Sequence, residues 1–269
     1  MDTAYTDKIL ELRNISLFNT GPLDHALTTG VQIRKHIRDT ESWMPGEKYD
    51  TPEYNYGHFQ PAFMPHGKVD THAFYIQDAV TLGDVTITPS LRYDHVVNRG
   101  KANDAPYYSN PDPAFGHDYS DRTYAGWSPR LAAFWKVTPD VVMFANWSKT
   151  WRAPVIDEQY EVQGLGSRTS TSRNLAPERI TAITVGNITN FANVIASGDS
   201  LQLRTTLFHN KIEDEIFKAT GLGCREQNYI KGSIAEVCTD AASKTNYRNV
   251  GSMTIKGFEL ESFYNSTYL

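Results

Sequence analysis

Apolar and polar residues alternate along much of this chain, and that alternation predicts β-strands. It is clearest over VTITPSLRYD, residues Val85 to Asp94. Val85, Ile87, Leu91 and Tyr93 share one face there, and Thr86, Thr88, Ser90, Arg92 and Asp94 share the other. Leu201, Leu203 and Leu207 oppose Gln202, Arg204 and Thr206 in the same way. Leu131, Ala133, Trp135 and Val137 oppose Arg130 and Lys136, with Phe134 interrupting the polar face. Further strands are predicted near Ile9–Phe18, Ala26–Arg38, Thr71–Thr81, Val141–Trp151, Glu178–Asn190 and Asn246–Tyr264. Pattern alone thus gives about nine strands. The last changes phase at Gly257, where a bulge is expected. No segment carries a helical period.

The connections sort by length. Asn19–His25, Leu82–Asp84, Thr138–Asp140 and Phe191–Ser200 are short, whereas Asp39–Asp70, Asn98–Arg122, Arg152–Ala176 and Asp214–Thr245 are long. Short and long alternate, so in an up-and-down meander all the long loops leave at one end. Structureless loops beyond about 15 residues are uncommon in compact domains. A membrane β-barrel with short periplasmic turns and long outer loops accounts for them, and turns its apolar faces to lipid and its polar faces to the lumen. A soluble β-sandwich would bury the same apolar faces in a core, but does not sort its loops by end.

Composition narrows the class. The net charge of -5 argues against nucleic acid as a partner. No run of about 18 apolar residues exists for a spanning helix. Fifteen Tyr, twelve Phe and five Trp give the aromatic load that barrel girdles use. The opening MDTAYTDKILEL shows no signal peptide, and the closing SFYNSTYL follows its last apolar run with no cap or tail. Both ends read as cuts through a longer protein.

Candidate chemistry is sparse. There is no phosphate-binding glycine loop and no Gly-x-Ser-x-Gly elbow. No acid–base or nucleophile constellation points to an enzyme. His58, His66 and His72 lack the tight spacing of zinc ligands, so no metal site is assigned. Glu213, Asp214 and Glu215 read as a solvated strand end. Asn14, Asn146, Asn187 and Asn265 open chance glycosylation tripeptides. Cys224 and Cys238 lie close together in a polar loop, which suits a local disulfide; two free thiols are the alternative.

The segment WSPRLAAFWKVTPDVVMFANWSKTWRAPVIDEQY, residues 127–160, resembles the middle of a TonB-dependent outer-membrane receptor barrel. HAFYIQDAVTLGDVTITPSLRYDH resembles that family's Phe-x-Gln-Asp and Leu-Arg-Tyr-Asp strands with the tight turn between them. RNLAPERITAITVG resembles its Asn-Pro-Asn-Leu-x-Pro-Glu box. LFHNKIEDEIF and NYRNVGSMTIKGFELE resemble the strands that follow, including a Lys-Gly-x-Glu-x-Glu signature. These motifs keep the family's order from His72 to Glu261. The motif residues are Arg152, Ala153, Pro154, Asn174, Leu175, Pro177 and Glu178. Pro154 ends a ladder, Glu178 and Arg179 place charge where water or a plug solvates it, and Gly257 permits the bulge that turns Glu259 and Glu261 inward.

The resemblance implies an all-β fold: an antiparallel up-and-down transmembrane barrel segment, part of a barrel of about 22 strands. Residues 1–269 would be a partial barrel domain, with the plug domain and the C-terminal strands outside it. The boxes flanking Val155–Arg173 are most similar to those of haem, haemoglobin or haemophore receptors. The implied function is haem uptake for iron acquisition, in the outer membrane of a Gram-negative bacterium. Haem is the transported ligand rather than an intrinsic cofactor. The implied partners are haem or its carrier protein, the TonB complex through the plug, and outer-membrane lipid. Such receptors grip haem iron with a plug residue and a loop histidine between the two boxes. That loop holds no histidine here, which leaves Tyr160 as its candidate ligand. His58, His66 and His117, in other long loops, are the other candidates. A ferric-siderophore receptor and a soluble secreted β-sandwich remain the alternative readings.

Overall fold

The computed structural model describes residues 2–44, 57–59, 64–101, 118–161, 171–218 and 247–266. Nine long strands form one antiparallel meander: β1 (Asp2–Thr20), β2 (Leu23–Met44), β4 (His66–Leu82), β5 (Val85–Lys101), β6 (Arg122–Thr138), β7 (Val141–Arg152), β8 (Glu178–Ala192), β9 (Ser200–Glu213) and β12 (Met253–Asn265). The short strand β3 (Gly57–Phe59) extends the β2 edge. A separate two-stranded ribbon pairs β10 (Ile216–Lys218) with β11 (Tyr247–Asn249). The one described helix, α1 (Ile156–Tyr160), interrupts the connection from β7 to β8. Among the described residues no second sheet packs on the first, so the sandwich reading falls.

Hairpins join the strands at one end. Gly21 and Gly83 sit at φ near 61° and 55° in two-residue turns that favour glycine. Pro139 and Asp140 make the third, and the fourth is closed by Asp199. The Asp199 carboxylate accepts the backbone N–H groups of Val194, Ile195 and Ala196 at 2.6–2.8 Å and the Tyr264 hydroxyl at 2.8 Å. All long connections leave from the opposite end, as the loop lengths predict.

Register carries the predicted faces across the whole sheet. Val31, Phe74, Tyr93, Trp127 and Val185, Leu207, Phe258 fall in cross-strand rows on the apolar face. Leu12 and Phe258 there are 65% and 62% exposed, so among the described residues no core covers this face. The polar face is cross-linked by side chains. Tyr75 donates to Glu11 at 2.5 Å, and Arg92 reaches Gln32 and Asp94 at 2.8–3.0 Å. Arg34 and His36 converge on Asp7.

The strands outrun their predicted bounds at the long-loop end. β5 continues to Lys101 and β6 starts at Arg122, because the ladder persists after the apolar alternation stops. Asp70 and Arg99 pair there at 3.1 Å on what is lower down the apolar face.

Three predictions are corrected. The β9–β12 register runs unbroken through Gly257, so there is no bulge. Gly257 lies directly opposite Phe208, and a Cβ on it would approach that ring to 2.3 Å; the glycine makes room for an aromatic ring. The alternation alone places Glu259 and Glu261 with it on the polar face. Arg179 does not share the polar face with Glu178; it lies on the other side and pairs with Asp214 at 3.0 Å. Residues 246–264 do not form one strand but two, β11 and β12. Phe134, the exception in its strand, faces Phe144 with ring centroids 6.4 Å apart.

Candidate functional site

The polar face carries a buried cluster at its long-loop end, built around α1. Glycine creates the floor. Gly67 and Gly100 oppose each other in the β4–β5 ladder, and a Cβ on either would come within 2.9 Å of Ile156 or of the Tyr160 ring. The helix therefore lies directly on backbone. It is too short to form from propensity, so its neighbours hold it. Glu158 accepts the Val155 N–H at 2.9 Å, capping the first turn. Ile156, Gln159 and Tyr160 are buried, with Tyr160 1% exposed. Asn98, fully buried, donates to the Pro154 carbonyl at 2.5 Å and to Gln159 Oε1 at 2.9 Å.

Charge pairs tie the same segment to four strands. Arg152 Nε reaches Glu178 Oε2 at 2.7 Å, while its two terminal nitrogens grip Glu158 at 2.7 and 3.1 Å. The second Glu178 oxygen accepts the Ile216 N–H at 2.7 Å, which fixes the start of β10. Arg38 of β2 pairs with Asp157. Lys218 of β10 binds both oxygens of Glu161 at 2.6 and 2.9 Å, and Tyr247 donates to the same carboxylate at 3.1 Å.

The family-motif residues gather in this cluster as strand-end fasteners. Arg152 and Glu178 are the last register pair of β7 and β8. Pro154 is buried and Ala153 half-buried. Leu175 is buried and its carbonyl accepts the Tyr124 hydroxyl at 3.3 Å. Pro177 is half-buried, and Asn174 is exposed. Asn249 supports the returning chain from β11, donating to the Ala176 carbonyl at 3.0 Å and accepting the Ala176 N–H at 2.8 Å.

Of the candidate iron ligands, the side chains of Tyr160 and His66 are described. The Tyr160 hydroxyl is within 2.9 Å of the Ser120 carbonyl and 3.1 Å of that of Asn98. Burial pushes its phenol well above the ordinary tyrosine range, so it stays protonated near neutral pH. Its neighbour Tyr119, stacked at 6.0 Å, is pushed up to about 12 by burial. His66 is half-buried, with Nε2 2.7 Å from the Thr40 carbonyl and Nδ1 3.7 Å from Asp39. His58 belongs to β3, but its side chain lies outside the described residues, as do His117, Cys224 and Cys238. Arg38, Asn98, Gln159 and Lys218 were not singled out from the sequence. Gly67 and Gly100 fall in connections on the sequence pattern, so only the structure reveals the close approach that they permit.

Comparison with known proteins fits this geometry. The TonB dependent receptor-like β-barrel family matches residues 2–269. The chain is 45% identical over 269 residues to the TonB-dependent heme receptor A of Haemophilus ducreyi, covering 99% of this chain and 36% of that protein. The heme receptor A of Haemophilus influenzae is 40% identical over 269 residues, covering 99% of this chain and 35% of its own. The chain thus spans about a third of the length of these relatives. Among solved structures, the hemophore receptor HasR of Serratia marcescens, in complex with HasA and heme, superposes with a TM-score of 0.68 at 18% identity, over 98% of this chain and 40% of HasR. The ferric citrate transporter FecA gives 0.61 at 15% identity, over 97% and 32%.

Proposed function

Because this chain belongs to the TonB-dependent receptor-like β-barrel family, we propose that it forms part of the barrel wall of an outer-membrane receptor that takes up haem. The observation that carries this reading is the 45% identity, along nearly the whole chain, to a heme receptor. In it the apolar face meets lipid, the polar face lines the lumen, and the long-loop end faces the medium. Haem, free or delivered by a carrier protein, is the cargo, and TonB acting on a plug supplies the energy. The chain has no catalytic role. Residues 1–269 belong to the barrel domain alone.

Within this reading the α1 cluster organises the mouth of the lumen. Tyr160 is a packing residue whose phenol is kept neutral and hydrogen-bonded, and His66 braces the β2–β4 pair. The iron ligand supplied by this chain is then His58 or His117, each in a long loop. The motif residues Arg152 to Glu178 hold the loop between them in place, and Cys224 and Cys238 close their loop by a disulfide.

The test is growth. A strain lacking its own haem receptor should grow on haem as sole iron source when it expresses the full-length protein containing this chain. It should not grow on ferric siderophores. Growth on a siderophore and not on haem would replace this reading with the siderophore one. Replacing His58 or His117 with Ala should shift the Soret band of the haem-loaded receptor for one of the two; no shift for either would remove both as ligands.

A further inference from the structure

The apolar face changes character at one level of the sheet. From the row Leu12, Val31, Phe74, Tyr93 and Trp127 down to the hairpins, no described residue on this face is a lysine or an arginine. The same holds below Ala145, Val185, Leu207 and Phe258 in the other half of the sheet. Above that level, towards the long loops, every long strand except β6 turns a base to this face. Lys8 and Lys35 are register partners, as are Lys68 and Arg99. Lys149 and Lys211 flank Thr181 in one cross-strand row. Arg179 lies two residues above Thr181 on the same strand, and Lys256 stands opposite His209 in the next row down.

This charge is only partly answered within the chain. Arg99 meets Asp70 at 3.1 Å, Arg179 meets Asp214 at 3.0 Å and Lys211 meets Glu213 at 2.7 Å. Lys8, Lys35, Lys149 and Lys256 make no ion pair among the described residues. The bases on β7–β9 are also close together. Adjacent strands lie about 4.8 Å apart, so Lys149 and Lys211 stand about 10 Å apart across Thr181. Lys149 and Arg179 line one cavity of about 260 Å³ with Trp127 and Trp151. It opens where β6 and β7 part, because their last register pair is Arg130 with Ser148 although the strands run on to Arg122 and Arg152. The Lys211 and Arg179 side chains are about half exposed. Long basic side chains at such a boundary lay their stems on apolar surface and hold their charges in the headgroup layer. Trp127 and Trp147, both exposed, mark the same boundary.

We propose that this belt binds the phosphate groups of an anionic lipid in the outer leaflet, and that Lys149, Arg179 and Lys211 form its seat on β7–β9. The proposal rests on the membrane placement given above and adds which lipid chemistry the wall recognises. A free anion would use the bases alone. A phosphorylated lipid uses the bases and the apolar rows directly beneath them. The absence of bases on this face at the hairpin end confines the recognition to one leaflet.

The experiment uses the full-length receptor in detergent micelles, with labelled diphosphoryl lipid A and its dephosphorylated form as probes. A base near a lipid surface contributes about fivefold in affinity. Lys149→Gln and Lys211→Gln should therefore each weaken diphosphoryl lipid A about fivefold, and together about 25-fold. Neither should change binding of the dephosphorylated lipid, which a merely distorted sheet would also lose. Lys136→Gln removes a base from the opposite face near a hairpin and should leave both lipids unaffected. Equal affinity for the two lipids, or the same losses with Lys136→Gln, overturns the proposal. So does displacement of lipid A by an equal concentration of inorganic phosphate, which would make this a free-anion site. Heat-resistant gel mobility confirms folding, and Lys256→Gln replaces either variant that fails it. A wild-type receptor that does not insert into liposomes removes the membrane placement and the belt with it. One that inserts but does not distinguish the two lipids removes the belt alone.

Discussion

Replacing Tyr160 with Phe separates the two jobs open to this side chain, iron ligand and packing latch. The substitution keeps the ring, which lies on Gly100 and is almost fully buried. It removes one hydroxyl proton, shared between the Ser120 and Asn98 carbonyls. One proton makes one good hydrogen bond at a time, so the loss is about 1–1.5 kcal/mol. Removing the ring as well, in Tyr160→Ala, adds the cavity and raises the cost to about 3–5 kcal/mol. The affected equilibrium is local opening of the 152–177 connection rather than unfolding of the sheet. A change of about 1.4 kcal/mol is tenfold in the open population. Limited proteolysis of the full-length receptor should therefore cut this connection about tenfold faster in Tyr160→Phe, and faster still in Tyr160→Ala. The haem spectrum of Tyr160→Phe should match that of the wild type, because burial keeps the phenol protonated and unavailable as a phenolate. An unchanged cleavage rate together with a shifted Soret band would refute this reasoning and make Tyr160 a ligand.

Three further outcomes test the architecture. Gly100→Ala places a methyl 2.7 Å from the Tyr160 ring, an overpacking that costs about 1–3 kcal/mol; it should accelerate the same cleavage, and less than additively with Tyr160→Phe. Val185→Lys puts a charge on the apolar face and should cost about 2–4 kcal/mol in a bilayer, read as lost folding into liposomes, while Thr184→Lys one residue away should fold like wild type. At the fourth hairpin, burial opposes ionisation of Asp199, but the Ala196 N–H, the Tyr264 hydroxyl and the Ile195 and Val194 N–H groups outweigh it and hold its pKa below the ordinary 3.8. Its contribution is therefore complete above about 3.8 and disappears as pH falls through the lowered folded value; proteolysis of this turn should rise in that acid range for wild type and be pH-independent there in Asp199→Asn.

The strands and the sorting of their loops were legible because both follow from period two. A residue such as Leu91 must go to one face and Arg92 to the other in any half-covered sheet. The strand ends were less legible. Beyond Val69 and Val97 no apolar side chain remains on either face, so hydropathy stops while hydrogen bonding continues to His66 and Lys101. α1 was invisible because a five-residue helix completes too little of its period to register. Gly257 was misread for a related reason: a glycine in a strand signals either a bulge or a close approach, and only the register tells Phe208 from an inserted residue. The motif residues were found, but through resemblance. Nothing in the spacing of Arg152, Glu158 and Glu178 says that one guanidinium bridges two carboxylates 20 residues apart.

The two ends of the sheet solve different problems. At the hairpin end the chain is closed over short range: two residues make a turn, or one carboxylate caps three amides, with single bonds to the next strand such as that from Tyr264 to Asp199. At the loop end four connections must each return to the next strand over longer distances, and the solution is shared. α1 serves β2 through Arg38, β5 through Asn98, β7 and β8 through Arg152, and the β10–β11 ribbon through Lys218 and Tyr247. Shared fastening makes the loops interdependent, because releasing one carboxylate loosens a strand pair and a ribbon together.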